Sequence, residues 1–148
     1  MDYEAVRTGL AEAIPYNGHL GLELVEVSEG RGSVRLPDQA HLKNHVGSQH
    51  AGGLFSAGEF ASGAAFVGAF VDKLGNITPL AKAADIEYVK IAQGPVTATA
   101  TLSQEKSDLL DRLESDGRVE FPIEVDMTDD DGDTVARMSV DWHVRKNG

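Results

Sequence analysis

The 148-residue chain has the length of one domain, and its 41% hydrophobic and 25% charged residues are those of an ordinary globular protein. A net charge of -11 argues against nucleic-acid and anionic-membrane partners, both of which require a basic face. The absence of cysteine excludes disulfides, thiolate nucleophiles and zinc-thiolate sites. Residues 1–13 carry acids and no long apolar run, so no signal peptide is expected and a cytoplasmic location follows by default.

Asp2 to Ile14 reads as an amphipathic helix with Val6, Leu10 and Ile14 on one stripe, ended by Pro15-Tyr16-Asn17-Gly18. Leu20 to Glu29 forms a first strand, where a change of apolar phase between Leu24 and Val25 predicts a bulge or burial on both faces. Ser33 to Leu36 is a second strand, stopped by Pro37. Asp38 to Gln49 is polar and irregular. His50 to Asp72 is a long helix, and Asn76 to Ile91 a third strand broken near Pro79. Val96 to Leu102 alternates strictly as a fourth strand. Ser107 to Ser115 is a short helix burying Leu109, Leu110 and Leu113. Val119 to Met127 is a fifth strand in which Pro122 suits an edge or bulge. After the Asp129–Asp133 turn, Ala136, Met138, Val140, Trp142 and Val144 form the core face of a sixth.

Leu54 to Val71 is apolar enough to suggest a membrane span. Glu59 lies inside it, and the residues are small rather than Leu or Ile, so a buried central helix is expected. Five glycines, at 52, 53, 58, 63 and 68, weaken such a helix by about 1 kcal/mol each relative to alanine, which close approach of a sheet would offset. Short turns between consecutive strands imply an antiparallel sheet. The picture is an α+β domain over 1–148, a curved antiparallel six-stranded sheet wrapped around one helix. Residues 1–17 form an N-terminal helix and turn, and 18–146 the core.

The chemistry concentrates in Asn44 to Gly63. A polar loop runs into Gly52-Gly53 at a helix N-terminus, where unpaired amides and a partial positive charge suit an oxyanion. Glu59 is the only charged residue between His50 and Asp72 and must reach a cavity, a partner or water. His41 and His45 have no further ligand at metal spacing, and Asp129 to Asp133 lacks the glycine position and closing Glu of a calcium loop, so no metal is expected. The four phenylalanines 55, 60, 66 and 70 either line a pocket or pack the core.

The segment with Asn44, Gly47, His50 and Glu59 resembles the hotdog-fold acyl-CoA thioesterases, the PaaI-like branch in particular. That family carries Asn-x-x-Gly-x-x-His-Gly-Gly, with a catalytic acid nine residues after the His. Tyr88 to Gly94 also resembles the family's strand after the helix. Two departures stand out: His50-Ala51-Gly52-Gly53 places alanine at one glycine position, and the acid is Glu rather than Asp.

The resemblance implies hydrolysis of a fatty or aromatic acyl-CoA, with CoA as part of the substrate and no separate cofactor. Glu59 would be nucleophile or general base. The N–H of Gly53 or Gly52 would polarise the thioester carbonyl. Asn44 would position water or the acyl carbonyl, and His50 would orient the loop or contact the thioester. Gly47, Gly52, Tyr88 and Lys90 would border the substrate. A homodimer or homotetramer with shared sites is implied. A non-catalytic acyl-CoA-binding domain, or a hotdog dehydratase, are the alternatives. The charge of -11 opposes binding of anionic CoA, so local cations are needed, with Lys82, Lys90, Lys106, Arg118 and Arg137 as candidates.

Overall fold

A computed structural model describes residues 1–148. In chain order the elements are α1 (Tyr3–Ala13), α2 (Pro15–Leu20), β1 (Glu23–Ser28), β2 (Arg31–Leu36), α3 (Ala51–Phe70), β3 (Ile77–Tyr88), β4 (Val96–Thr101), α4 (Lys106–Asp116), β5 (Arg118–Asp129) and β6 (Thr134–Lys146). Two 3₁₀ segments, Ala40–Leu42 and Val71–Asn76, lie before and after α3. The strands form one antiparallel sheet in the order β1-β2-β4-β5-β6-β3. This is the hotdog arrangement: the sheet wraps α3, whose apolar residues on nearly every side are buried within the core. The one helical stretch long and apolar enough to cross a membrane, Ala51–Asn76, is therefore mostly core.

Glycine allows this close wrapping. A Cβ on Gly68 would lie 2.0 Å from the Ser28 carbonyl oxygen of β1, and one on Gly58 would lie 2.6 Å from the Met138 sulfur of β6. At the far end of α3, Phe66 stacks between Phe70 and Trp142, with centroids 4.8 and 5.5 Å away, and Phe121 of β5 completes the cluster. Phe60, Phe66 and Phe70 are core residues, whereas Phe55 is 37% exposed.

Several expectations are revised. Pro15 does not merely end the first helix. Its fixed φ starts α2 after extended Ile14, and Gly21 in the left-handed region, at φ 74°, closes it. The expected bulge in β1 is present, between Leu24 and Glu26; it puts Leu24 and Val27 into the core and leaves Val25 out. β3 runs through Pro79, and its register shifts between Ala81 and Ala83 instead. Pro122 lies in a central strand, yet β4 ends opposite Glu124, so β5 has no neighbour on that side at Pro122 and no ladder donor is missed. Leu110 is only half-buried, while Leu109 and Leu113 are in the core.

β3 is the long outer strand. Only β6 pairs with it, and most of its 12 residues are exposed on both faces. Ala81, Ala84, Ile86 and Tyr88 stand opposite the core-facing Trp142, Val140, Met138 and Ala136, so their side is the helix side. That face nonetheless stays open.

Candidate active site

The loop from β2 into α3 is braced by its own side chains. Asn44 Oδ1 accepts from the N–H groups of Val46 (3.1 Å) and Ser48 (3.0 Å), while Nδ2 donates to Ser48 Oγ at 2.8 Å and Gln49 O at 3.4 Å. All of these contacts lie inside the loop, so Asn44 braces it, and it also lines the cavity described below. Gly47 turns the chain at φ 80°, a conformation that L side chains rarely adopt, and thus serves the turn. Gln49, which the motif did not single out, is 3% exposed. Its Nε2 donates to Pro37 O and Gly94 O at 3.0 and 2.9 Å, and its N–H to Ala92 O at 2.9 Å, tying the loop to the segment after β3.

His50 caps α3. Its Nδ1 accepts from the Gly52 N–H at 2.8 Å, which fixes the neutral tautomer with the proton on Nε2. Its carbonyl oxygen accepts from the N–H groups of Gly53 (3.0 Å) and Leu54 (3.1 Å). Both amides that the motif offered for the oxyanion are therefore occupied. The free donor at this terminus is the N–H of Ala51, which has no acceptor in the chain and belongs to an exposed residue. The motif could not reveal this, because Gly52 is taken by the His50 ring folding back on the helix and Gly53 by the His50 carbonyl.

Beside Ala51, a cavity of about 360 Å³ is lined by Asn44, Gln49, Leu54, Tyr88, Lys90 and Ile91, among others. Tyr88 donates its hydroxyl to Ala51 O at 3.2 Å and is 47% exposed. Lys90 borders the cavity, but its ammonium is held by Asp133 at 2.6 Å, with Asp129 at 3.6 Å, so it is turned to the β5–β6 hairpin. The hydrogen bond to Asp133 raises its pKa further.

Glu59 stands apart from this cavity. It is half-buried, forms no side-chain hydrogen bond or ion pair, and burial alone pushes its carboxyl above the usual range. Its backbone carbonyl accepts from Ser62 Oγ at 2.7 Å, and Ser62 Oγ in turn accepts from Trp142 Nε1 at 3.3 Å. One turn earlier, Ser56 Oγ lies 3.1 Å from the hydroxyl of Tyr16 on α2, another contact with no sequence signature. Eight residues separate Ala51 from Glu59, which is about 12 Å along a helix axis. The two residues therefore stand about two turns apart on α3.

The sequence matches, over residues 3–144, the family described as Domain of unknown function (DUF4442). The chain belongs to this family. A search of curated proteins finds no match. Among solved structures, a Pseudomonas aeruginosa protein described as of unknown function and a probable thioesterase is 28% identical, with a TM-score of 0.87 over 97% of this chain and 95% of its own. A conserved protein of the same organism is 25% identical, with a TM-score of 0.74 over 93% of this chain and 98% of its own. The Escherichia coli PaaI protein of the phenylacetic acid degradation operon shares the fold at 20% identity, with a TM-score of 0.73 over 95% of this chain and 90% of its own. This DUF4442 chain thus shares the hotdog fold with these proteins.

Proposed function

We propose that the protein is an acyl-CoA thioesterase, acting on fatty or aromatic acyl groups as a homodimer in which each site joins Ala51 of one copy to Glu59 of the other. The observation that carries the reading is Glu59: a half-buried carboxylate with no cation or donor to hold it, on the same helix whose first residue, Ala51, presents a free amide beside the cavity. An acid raised by burial is a better base near neutral pH than an exposed one.

In this mechanism Glu59 takes a proton from water as the water oxygen attacks the thioester carbon. The Ala51 N–H, aided by the positive end of the α3 dipole, stabilises the charge that develops on the carbonyl oxygen. Collapse of the tetrahedral intermediate breaks the C–S bond, and the proton held by Glu59 passes to the departing sulfur. His50 and Asn44 are positioning residues: one fixes the α3 terminus, the other the loop that carries it. The 12-residue edge of β3, with its open helix-side face, supports pairing with a second copy, which would also bury an exposed strand edge.

The test is turnover of a panel of acyl-CoAs by wild type and Glu59→Gln. Loss of about 10²–10⁴-fold in kcat with little change in acyl-CoA affinity is expected for removal of a general base. Turnover by Glu59→Gln within a few-fold of wild type would refute the mechanism. Binding without hydrolysis by the wild type would favour a non-catalytic acyl-CoA-binding domain.

A further inference from the structure

A protein of net charge -11 can hold the phosphates of CoA only where cations stand free of carboxylates. Of the 13 Lys and Arg residues, eight are ion-paired, Lys82, Lys90 and Lys106 among them. Arg137 lies in register between Asp126 and Glu87. Arg118 and Arg145 differ from all of these. They occupy directly opposing positions of β5 and β6, and their neighbours Val119 and Val144 are buried, so both guanidinium groups project from the outer face of the sheet. Neither makes a side-chain hydrogen bond or ion pair. Like charges directly opposite each other weaken a sheet, so an anion bound between this pair would relieve the repulsion. Arg112 of α4, which donates only to Gln104, lines with Arg118 and His143 a groove of about 720 Å³. Asp116 and Glu120 share the groove, and Glu120 is already engaged by Lys82 and His143.

We propose that Arg118, Arg145 and Arg112 bind the nucleotide phosphates of CoA whose acyl group occupies the neighbouring copy's site. This rests on the thioesterase reading above. Guanidinium groups present paired N–H donors that match phosphate oxygens. The position follows from β3. Arg145 is in register with Thr78, and an antiparallel β3–β3 pairing centred on the strand would set Ile77 of one copy opposite Tyr88 of the other. The arginines of one copy then reach the sheet rim beside Tyr88 and Ala51 of the other, two to three strand spacings away at about 4.8 Å each. A pantetheine arm passing over that rim spans this distance.

The experiment uses the double variant Arg118→Gln/Arg145→Gln, whose exposed positions tolerate glutamine. Adenosine 3′,5′-bisphosphate and inorganic phosphate are titrated calorimetrically. Hydrolysis is followed with an acyl-CoA and with the matching acyl-N-acetylcysteamine, which lacks the nucleotide. The variant should bind the bisphosphate at least about tenfold more weakly than wild type. Its KM for acyl-CoA should rise likewise with kcat unchanged, and its turnover of the truncated thioester should not move. Equal bisphosphate binding by both proteins, no binding by wild type, or inorganic phosphate bound as tightly as the bisphosphate would each overturn the assignment. A wild type that binds the bisphosphate through these arginines yet cleaves neither thioester would uphold the nucleotide site and refute the hydrolase reading.

Discussion

Ala51→Pro removes one hydrogen-bond donor and no existing hydrogen bond. Ala51 is the first residue of α3, where proline is well tolerated, and its N–H has no acceptor in the chain. His50 already sits at φ -66° and ψ 140°, the region that a following proline requires. The substitution should therefore leave thermal stability close to that of wild type. Loss of an oxyanion donor costs about 10²–10³-fold in kcat, or about 2.7–4 kcal/mol of transition-state stabilisation. Ala51→Gly, which keeps the N–H, should retain turnover. The shared site adds a sharper outcome. In a 1:1 mixture of Ala51→Pro and Glu59→Gln chains that exchange freely, half the dimers are mixed, and each mixed dimer holds one intact site of two. Activity should recover to about one quarter of wild type. The assay is release of free thiol from acyl-CoA, with each variant alone and with the re-equilibrated mixture. Full turnover by a folded Ala51→Pro protein would refute Ala51 as the oxyanion donor. Failure of the mixture to recover, with dimer exchange demonstrated, would refute the division of the site between two chains.

The burial that raises the Glu59 pKa has a consequence for stability. A folded-state value above the unfolded one favours the folded protein fully at pH below the unfolded value and loses that advantage as pH rises through the folded value. Glu59→Gln should thus melt higher than wild type at neutral pH, with the gap closing on acidification. A pH-independent gap in melting scans would contradict the burial argument. Gly68→Ala places a Cβ 2.0 Å from the Ser28 carbonyl, so α3 and β1 must separate. A loss of about 1–3 kcal/mol, a fall of roughly 3–10 °C in Tm by calorimetry, is expected. Light scattering should report a dimer at micromolar concentration, and a stable monomer would leave Ala51 and Glu59 about 12 Å apart along the helix with nothing to complete either half.

Apolar periodicity carried most of the fold into view. The alternation of Ala136 to Val144 and the glycines of α3 each pointed to a sheet pressed on a helix, because burial writes itself directly into residue type. Local punctuation was less legible. Pro15 reads equally as a stop and as a helix start, and only packing beside it decides. Pro122 was tolerated by the length of a neighbouring strand, a fact about β4 rather than about the proline. At the site, Glu59 was conspicuous as a lone charge in an apolar run, whereas the state of the α3 amides was not. A side chain turned back by its own rotamer, as His50 is, leaves no trace in residue spacing. Lys90 likewise sits beside the cavity while its charge faces Asp133, a partner 43 residues away.

The single tryptophan gives the molecule an optical handle on its own chemistry. Trp142 is 8% exposed and stacked on Phe66, and its indole N–H reaches the Glu59 carbonyl through one intervening hydroxyl, that of Ser62. An indole shielded from water emits at shorter wavelength than a solvated one, and its emission responds to changes in nearby charge. Light from this one residue therefore reports on the seam between helix and sheet, beside the backbone of Glu59, with no label attached.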